Sequence, residues 1–218
     1  MRLPLGQSAA VGRRFIDLSP ELTVAVIQTV EAGWPLALAR SEVTAAADEV
    51  TITECLRDAM RAALDQHRFP WHKTMIIAPG TESRSRAGMV SPDGRTDIPL
   101  YLTRVFARSG EHDPHAILEC KRVAEGDARL AREYVVEGID RFRTGKYAEN
   151  HRRGFMVGYV ISGAAQGVVD AVNRYLAGRS RHGEALASTE AHDALWESEH
   201  PRMGSGPIAL HHAMLAIT

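Results

Sequence analysis

The chain has 218 residues, of which 44% are hydrophobic and 24% charged, and its formal net charge is −1 at pH 7. This balance is typical of a soluble globular protein and excludes disorder throughout the chain. Because the net charge is close to zero, no overall positive field attracts nucleic acid, and a polyanion site would have to be a local patch.

Residues 1–48 predict an N-terminal helical extension. Ser19 and Pro20 supply an N-cap and a proline in the first helical turn, and an apolar run follows through Val30, before Gly33. The segment has no apolar stretch of the kind found in a signal peptide.

The next helix is predicted from a capping-box pattern. Thr51 and Glu54 have the spacing at which two side chains cap the first turn of a helix reciprocally. Apolar residues then recur at helical spacing as far as His67. We therefore expect a helix over about 51–67.

The remaining elements define the fold class. Apolar runs bounded by turn residues predict strands at 74–80, 96–105, 115–123, 154–163 and 208–217. Helical periodicity predicts helices at 127–143 and 164–178, while 179–206 has the composition of a loop. The order α-β-β-β-α-β-α-β indicates an α/β (mixed α+β) domain at 49–218, with a core at about 49–178 and a central mixed sheet flanked by helices.

Cysteine usage and hydropathy favour a cytoplasmic protein. Cys55 and Cys120 form neither a CxxC metal pair nor a disulfide framework, which fits a reducing compartment. No segment approaches 18 uninterrupted apolar residues, so we expect no membrane span.

The strand at 115–123 carries an unusual pair of charges. Side chains alternate along a strand, so Ile117, Glu119 and Lys121 share one face. Ala116, Leu118 and Cys120 share the other. An otherwise apolar strand thus presents a carboxylate and an ammonium side by side.

Asp97 completes a candidate metal site. It stands at the head of the preceding strand, and 21 residues separate it from Glu119, which leaves room for two paired strands and a turn. Two carboxylates held together repel each other unless a cation lies between them. Hard oxygen ligands favour Mg²⁺ or Mn²⁺, and Lys121 could position or deprotonate a water molecule.

With Asp97, then Glu119-x-Lys121 at the end of an apolar strand, the sequence resembles the PD-(D/E)XK nucleases, the restriction-endonuclease-like superfamily. The element order α-β-β-β-α-β over about 49–178 is similar to the core of that superfamily. The resemblance implies a metal-dependent nuclease that hydrolyses phosphodiester bonds and leaves a 5′-phosphate.

The resemblance also implies roles for individual residues. Asp97, Glu119 and the backbone carbonyl of Cys120 would bind the metal ion, and Lys121 would serve the attacking water. An acidic residue of the first core helix often joins them, and by position this is Glu54, with Glu49 second. Glu54 has an equal interpretation as the partner of Thr51 in the capping box.

Two alternatives stay open at the site. Pro92-Asp93 spells the motif literally, but Asp93-Gly94 is a turn pair, so we favour Asp97. Glu119 and Lys121 could instead form a solvated ion pair at a sheet edge. A separate alternative to an enzyme is a catalytically inactive nuclease-fold scaffold or a nucleic-acid-binding subunit.

Local arginine clusters are candidate contacts with DNA, with RNA as an alternative substrate. The run that contains Arg141 also fits a solvated helix end with Tyr147 packing the helix down. One cluster comprises Arg141, Arg143, Lys146, Arg152 and Arg153, and a smaller one comprises Arg84 and Arg86. No recognition domain is visible, so we expect a partner protein to supply specificity, as in a prokaryotic defence or DNA-processing system. A homodimer is a further possibility.

Two pairs of histidines have mainly structural interpretations. His112 and His115 have a ligand-like spacing, but no second pair accompanies them, which argues against zinc. His211 and His212 fall in a predicted strand, so they face opposite ways, and we expect one of them to be buried and hydrogen-bonded.

Overall fold

The computed structural model describes residues 15–67, 69–83, 94–189, 195–203 and 206–217, which form a mixed α/β fold. The helices are α1 (Pro20–Leu38), α2 (Glu49–His67), α3 (Thr103–Ser109), α4 (Ala128–Glu133), α5 (Asp140–Arg143) and α6 (Ala165–Ala177). The strands are β1 (Met75–Ile77), β2 (Glu82–Ser83), β3 (Gly94–Arg95), β4 (Ile98–Leu102), β5 (Ala116–Ala124), β6 (Arg153–Ser162), β7 (Ala187–Ser188), β8 (Leu195–His200) and β9 (Ile208–Ala216).

The main sheet has seven strands and mixed directions. Its order is β1-β4-β5-β6-β9-β8-β7, while β2 and β3 pair separately. The three central strands β5, β6 and β9 are parallel, and the strands on either side are antiparallel. The predicted fold class, a mixed sheet flanked by helices, is confirmed.

Strand alternation divides the core into two layers of side chains. Ala116, Leu118 and Cys120 of β5 pack into the layer that contains α1 and α2. Ile117 and Val123 pack into the opposite layer, beneath α4, α5 and α6. The predicted division of β5 into two faces is therefore confirmed. By the same alternation, Glu119 and Lys121 lie on the face of β5 that carries Ile117 and Val123.

Helix α1 begins as predicted but runs further. The Ser19 hydroxyl accepts a hydrogen bond from the backbone N–H of Leu22. The helix continues through Gly33, where a Cβ atom would lie 2.8 Å from the side chain of Met60 on α2. The absence of a side chain at Gly33 therefore allows the two helices to approach closely, and the helix does not end there.

The capping-box prediction for α2 is wrong. The helix begins at Glu49, and Asp48 caps it by accepting a hydrogen bond from the backbone N–H of Thr51 at 2.7 Å. An aspartate one position before the helix is a stronger cap than the later Thr51-Glu54 pattern. Glu54 instead forms an ion pair with Arg57 on the exposed side of the helix.

The prediction of a loop over 179–206 is also wrong. Within the described residues this segment contains β7 and β8, and β8 pairs antiparallel with β9. The inward positions of β8 include Ser198 and His200, both buried. Polar residues at inward positions conceal the alternation on which a sequence-based strand assignment depends.

Other elements match their predictions with local differences. The predicted strand at 96–105 covers only Ile98–Leu102, because α3 begins at Thr103. The predicted helix at 127–143 is continuous but contains a π-helical turn at Tyr134–Ile139 between α4 and α5. Asp93, Arg84 and Arg86 lie outside the described residues. In the described ranges, no helix is long and apolar enough to cross a membrane.

Candidate active site

The register of β4 and β5 brings Asp97 to Glu119. Ile98 pairs with Leu118, and one residue further along this register Asp97 comes level with Glu119. Oδ2 of Asp97 accepts a hydrogen bond of 2.7 Å from the backbone N–H of Cys120. The Asp97 carboxylate therefore occupies the edge of β5 at the position where β4 begins.

Glu119 is a fully buried carboxylate with two unequal oxygen atoms. Its Oε1 atom lies 2.9 Å from Nζ of Lys121 and 2.6 Å from Nη1 of Arg141. Its Oε2 atom is buried and has no hydrogen-bond partner within the described part of the chain. Burial and then the neighbouring charge of Asp97 raise the pKa of Glu119 to about 8. An unpartnered buried oxygen of this kind requires a ligand or a proton.

Lys121 connects three acceptors. Its Nζ atom donates to Oε1 of Glu49 at 2.7 Å, contacts Glu119, and donates to the backbone carbonyl of Cys120 at 2.8 Å. Burial would lower the pKa of Lys121, but attraction from Glu119, Glu49 and Asp97 outweighs it and raises that pKa. Lys121 therefore stays an ammonium ion in this arrangement, which makes it an electrostatic and positioning group rather than a proton acceptor.

Glu49, and not Glu54, is the acidic residue of α2 that joins the cluster. One Glu49 oxygen accepts from Lys121, and the other accepts from the backbone N–H of Arg122 at 3.2 Å. The early start of α2 explains this, because it places Glu49 in the first turn beside the uncovered edge of β5. The preference for Glu54 as the supplementary acid is corrected accordingly: the contacts favour Glu49.

Arg141 and Tyr147 belong to the cluster, although sequence reasoning did not place them there. Arg141, on α5, donates to Glu119 and, at 3.0 Å, to the hydroxyl of Tyr147. Tyr147 is buried and donates to the backbone carbonyl of Arg95. Arg141 was predicted as a DNA contact because it lies in an arginine-rich run, and the run gives no sign that its side chain turns inward.

The other arginines of that run also have partners inside the protein. Arg143 lies 3.6 Å from Glu184, and Arg153 lies 3.3 Å from Asp17. The guanidinium of Arg152 stacks over the ring of Phe15. The sequence therefore overstates how much positive charge this run offers to a ligand.

His115 has a structural role. Its Nδ1 atom accepts a hydrogen bond of 2.7 Å from the backbone N–H of Leu102, and its Nε2 atom lies 3.1 Å from the carbonyl of Glu111. The ring of His112 packs edge-on against Phe106. Both imidazoles of this pair therefore make contacts that hold α3 and its flanking residues in place.

The donor set at Asp97 and Glu119 fits a hard divalent cation with few protein ligands. It offers the unpartnered Oε2 of Glu119, the Asp97 carboxylate and the Cys120 carbonyl, which are all oxygen donors. Across the described ranges, no three side chains of the types His, Cys, Asp and Glu form a ready-made metal-binding group. Two carboxylates and a carbonyl suit Mg²⁺, which commonly keeps several water ligands, better than an ion that needs a full protein cage.

Comparison with known proteins adds no family assignment: no protein-family model, curated protein or solved structure gives a significant match to the chain. The residues of the cluster are therefore the basis for assigning a function.

Proposed function

We propose that this chain is a metal-dependent phosphodiesterase with a restriction-endonuclease-like fold, and that it hydrolyses DNA. The observation that carries the proposal is the Glu119 carboxylate, which is buried with one oxygen unpartnered among the described residues. Asp97 is close enough to raise its pKa. The arrangement favours a cation between the two carboxylates.

Three protein groups would hold the metal ion: the carboxylates of Asp97 and Glu119 and the carbonyl of Cys120. A bound Mg²⁺ or Mn²⁺ would polarise a phosphoryl oxygen and acidify a coordinated water molecule. The hydrogen bond from the Cys120 N–H orients Asp97 and leaves its second oxygen available.

Lys121 and Arg141 would supply positive charge where negative charge develops. Both contact the same oxygen of Glu119, so both are held at the position where a phosphoryl group would approach the two carboxylates. As an ammonium ion Lys121 donates hydrogen bonds, which suits it to orient the attacking water and to stabilise the transition state. Glu49 fixes the Lys121 side chain from the α2 side.

A second candidate function is a nuclease-like scaffold without catalytic activity. The observation that favours it is the pairing of Glu119 with both Lys121 and Arg141, which satisfies one carboxylate oxygen without any metal ion. In that case the cluster would be a structural ion-pair network beside the middle of β5.

Incubation of the protein with nucleic acids distinguishes the two functions. Supercoiled plasmid, linear duplex, single-stranded DNA and RNA are each incubated with Mg²⁺, Mn²⁺ or EDTA. We expect cleavage of DNA with either metal and none with EDTA. Asp97→Asn should abolish cleavage, while Asp65→Asn, which changes an exposed aspartate of α2, should not. Absence of cleavage under every condition would favour the scaffold.

DNA binding by the protein alone should be weak. Because several arginines have internal partners, we expect a dissociation constant in the non-specific range, roughly 10⁻⁴–10⁻⁶ M near physiological salt. Sequence specificity would then come from a partner protein. Tight binding to one DNA sequence by the isolated chain would contradict this part of the proposal.

A further inference from the structure

Five buried polar side chains form a continuous hydrogen-bonded relay on the same sheet face as Glu119. Oε2 of Glu184 lies 2.5 Å from Nδ1 of His200, whose Nε2 atom lies 2.7 Å from the hydroxyl of Ser198. The same hydroxyl lies 2.7 Å from Nε2 of His212, whose Nδ1 atom lies 2.9 Å from the hydroxyl of Tyr134. We call these five residues the histidine relay.

Glu184, at one end of the relay, determines which nitrogen atom of His200 carries a proton. Arg181 binds Glu184 through two nitrogen atoms, at 2.9 and 2.6 Å. Burial would raise the pKa of Glu184, but the hydrogen bonds from Arg181 and His200 outweigh it and lower that pKa. Glu184 is therefore a carboxylate, which can only accept, so Nδ1 of His200 must carry a proton.

With neutral His200, the remaining hydrogen bonds have one possible direction. Nε2 of His200 has no proton and accepts from Ser198. The Ser198 oxygen then accepts from Nε2–H of His212, and Nδ1 of His212 accepts from Tyr134. The two histidines thus hold opposite tautomers, with the proton on Nδ1 in His200 and on Nε2 in His212.

The surroundings favour neutral imidazoles. Burial lowers the pKa of His200, although Glu184 opposes this, and burial and the neighbouring histidines lower the pKa of His212. The charged and titratable groups that face the relay from the packed elements are Arg181, Asp140, Arg143, His211 and Cys120.

We propose that the histidine relay is a proton switch, in which uptake of one proton reverses every hydrogen bond from His200 to Tyr134. Each group that gives up a proton receives another. Tyr134 passes its proton to Nδ1 of His212, and Nε2 of His212 passes one to Ser198. Ser198 in turn passes one to Nε2 of His200. The proton taken from solvent replaces the one that leaves Tyr134. His200 ends as the cation and His212 ends neutral in the other tautomer.

Both ends of the relay contact the helical segment that carries Arg141. Tyr134 begins the π-helical turn that leads into α5, and Arg143 lies beside Glu184 at the other end. Arg141 lies between them and contacts Glu119. Reversal leaves the Tyr134 hydroxyl as a donor with no acceptor among the contacts of the described residues, so the switch acts on the segment that positions Arg141.

NMR detection of the imidazole nitrogens tests this proposal without any assumption about activity. The protein is labelled with ¹⁵N and titrated from pH 8 downwards. At pH 8 we expect protonated Nδ1 in His200 and protonated Nε2 in His212. As His200 takes up its second proton, the His212 proton should move from Nε2 to Nδ1 with the same midpoint.

Ser198→Ala is the decisive variant, and Ser188→Ala, at an exposed position of β7, is its control. Without the Ser198 hydroxyl, the tautomer of His212 should no longer follow the titration of His200. Tyr134→Phe provides a second break in the relay if Ser198→Ala does not fold. Equal tautomers at pH 8, separate midpoints, a doubly protonated His212, or unfolding before His200 takes up its proton would each overturn the switch.

Discussion

Two buried polar clusters lie on the same face of the sheet and differ in how completely they are hydrogen-bonded. The register across β5, β6 and β9 places Glu119, Met156 and His212 in one row, so Met156 separates the candidate active site from the histidine relay. Each hydrogen-bonding atom of the relay imidazoles has a partner. In the site, Glu119 keeps one buried oxygen without a partner in the described structure.

The difference concerns whether each cluster has room for a ligand. Buried polar atoms in folded proteins are nearly always satisfied, so a complete network needs no further component. The site is incomplete in charge as well as in hydrogen bonds: three carboxylates, Glu49, Asp97 and Glu119, face two cations, Lys121 and Arg141. A divalent cation would offset the excess negative charge and give the unpartnered oxygen a ligand, whereas the imidazole nitrogens of the relay already have partners among the described residues.

The largest expected effect is on turnover in Lys121→Ala. Loss of a positioned cationic group should lower cleavage of plasmid DNA by about 10²-fold or more. Arg141 still pairs with Glu119 in this variant, so the fold should persist, which circular dichroism checks. Lys73→Ala, at an exposed lysine, is the matched control. Unchanged turnover in Lys121→Ala would remove Lys121 from the mechanism.

Ser198→Ala should act on stability instead. It leaves Nε2 of both His200 and His212 without a partner, and each such loss costs about 1–3 kcal/mol. We expect the free energy of unfolding in urea to fall by about 2–4 kcal/mol, while Ser188→Ala should stay within about 0.5 kcal/mol of the parent. An equal effect of the two serine variants would show that the relay adds no stability.

Sequence reasoning found the site more readily than the relay, for a physical reason. Asp97, Glu119 and Lys121 interrupt apolar strands, so their positions followed from alternation along two strands. Arg141 was missed as a site residue because only the folded helix brings it to Glu119.

The relay was missed because β8 turns polar residues inward. Ser198 and His200 occupy positions where an apolar residue would have indicated a strand, so their segment was predicted as a loop. Hydrogen bonding to His212 and Glu184, which the sequence does not reveal, satisfies them. Glu54 was preferred to Glu49 by its position in a helix predicted to begin at Thr51, whereas the Asp48 cap starts the helix at Glu49.

The two clusters should give stability opposite dependences on pH in protein kept free of metal by EDTA. Glu119 has a pKa raised to about 8 from 4.5, so its contribution is present at low pH and is lost as pH rises through that interval. The pKa of His200 is lowered from 6.5, so its contribution is present at neutral pH and is lost as pH falls below 6.5.

Glu119→Gln separates the two contributions to this pH profile. It should remove the decline in stability with rising pH between pH 4.5 and about 8, so that the rise due to His200 is seen alone, as measured by urea unfolding from pH 5 to pH 9. A Glu119→Gln profile with the same decline as the parent would show that another group controls it. A Glu119→Gln profile that also lacks the loss of stability below pH 6.5 would mean that the site and the relay titrate together, despite Met156 between them.

The smallest expected effect distinguishes two glutamates of the same helix. Glu49→Gln keeps the side-chain shape and a hydrogen bond to Lys121 but removes the negative charge, so we expect cleavage to fall by about 10-fold, below the usual scale for a group acting directly on the reaction. Glu54→Gln should change cleavage by less than about twofold, because the Glu54 carboxylate is exposed and pairs with Arg57 rather than with any group of the site. If Glu54→Gln had the larger effect, a second conformation of α2 would have to bring Glu54 to the site. Equal small effects would limit the essential acids to Asp97 and Glu119 and leave Glu49 as a support for Lys121.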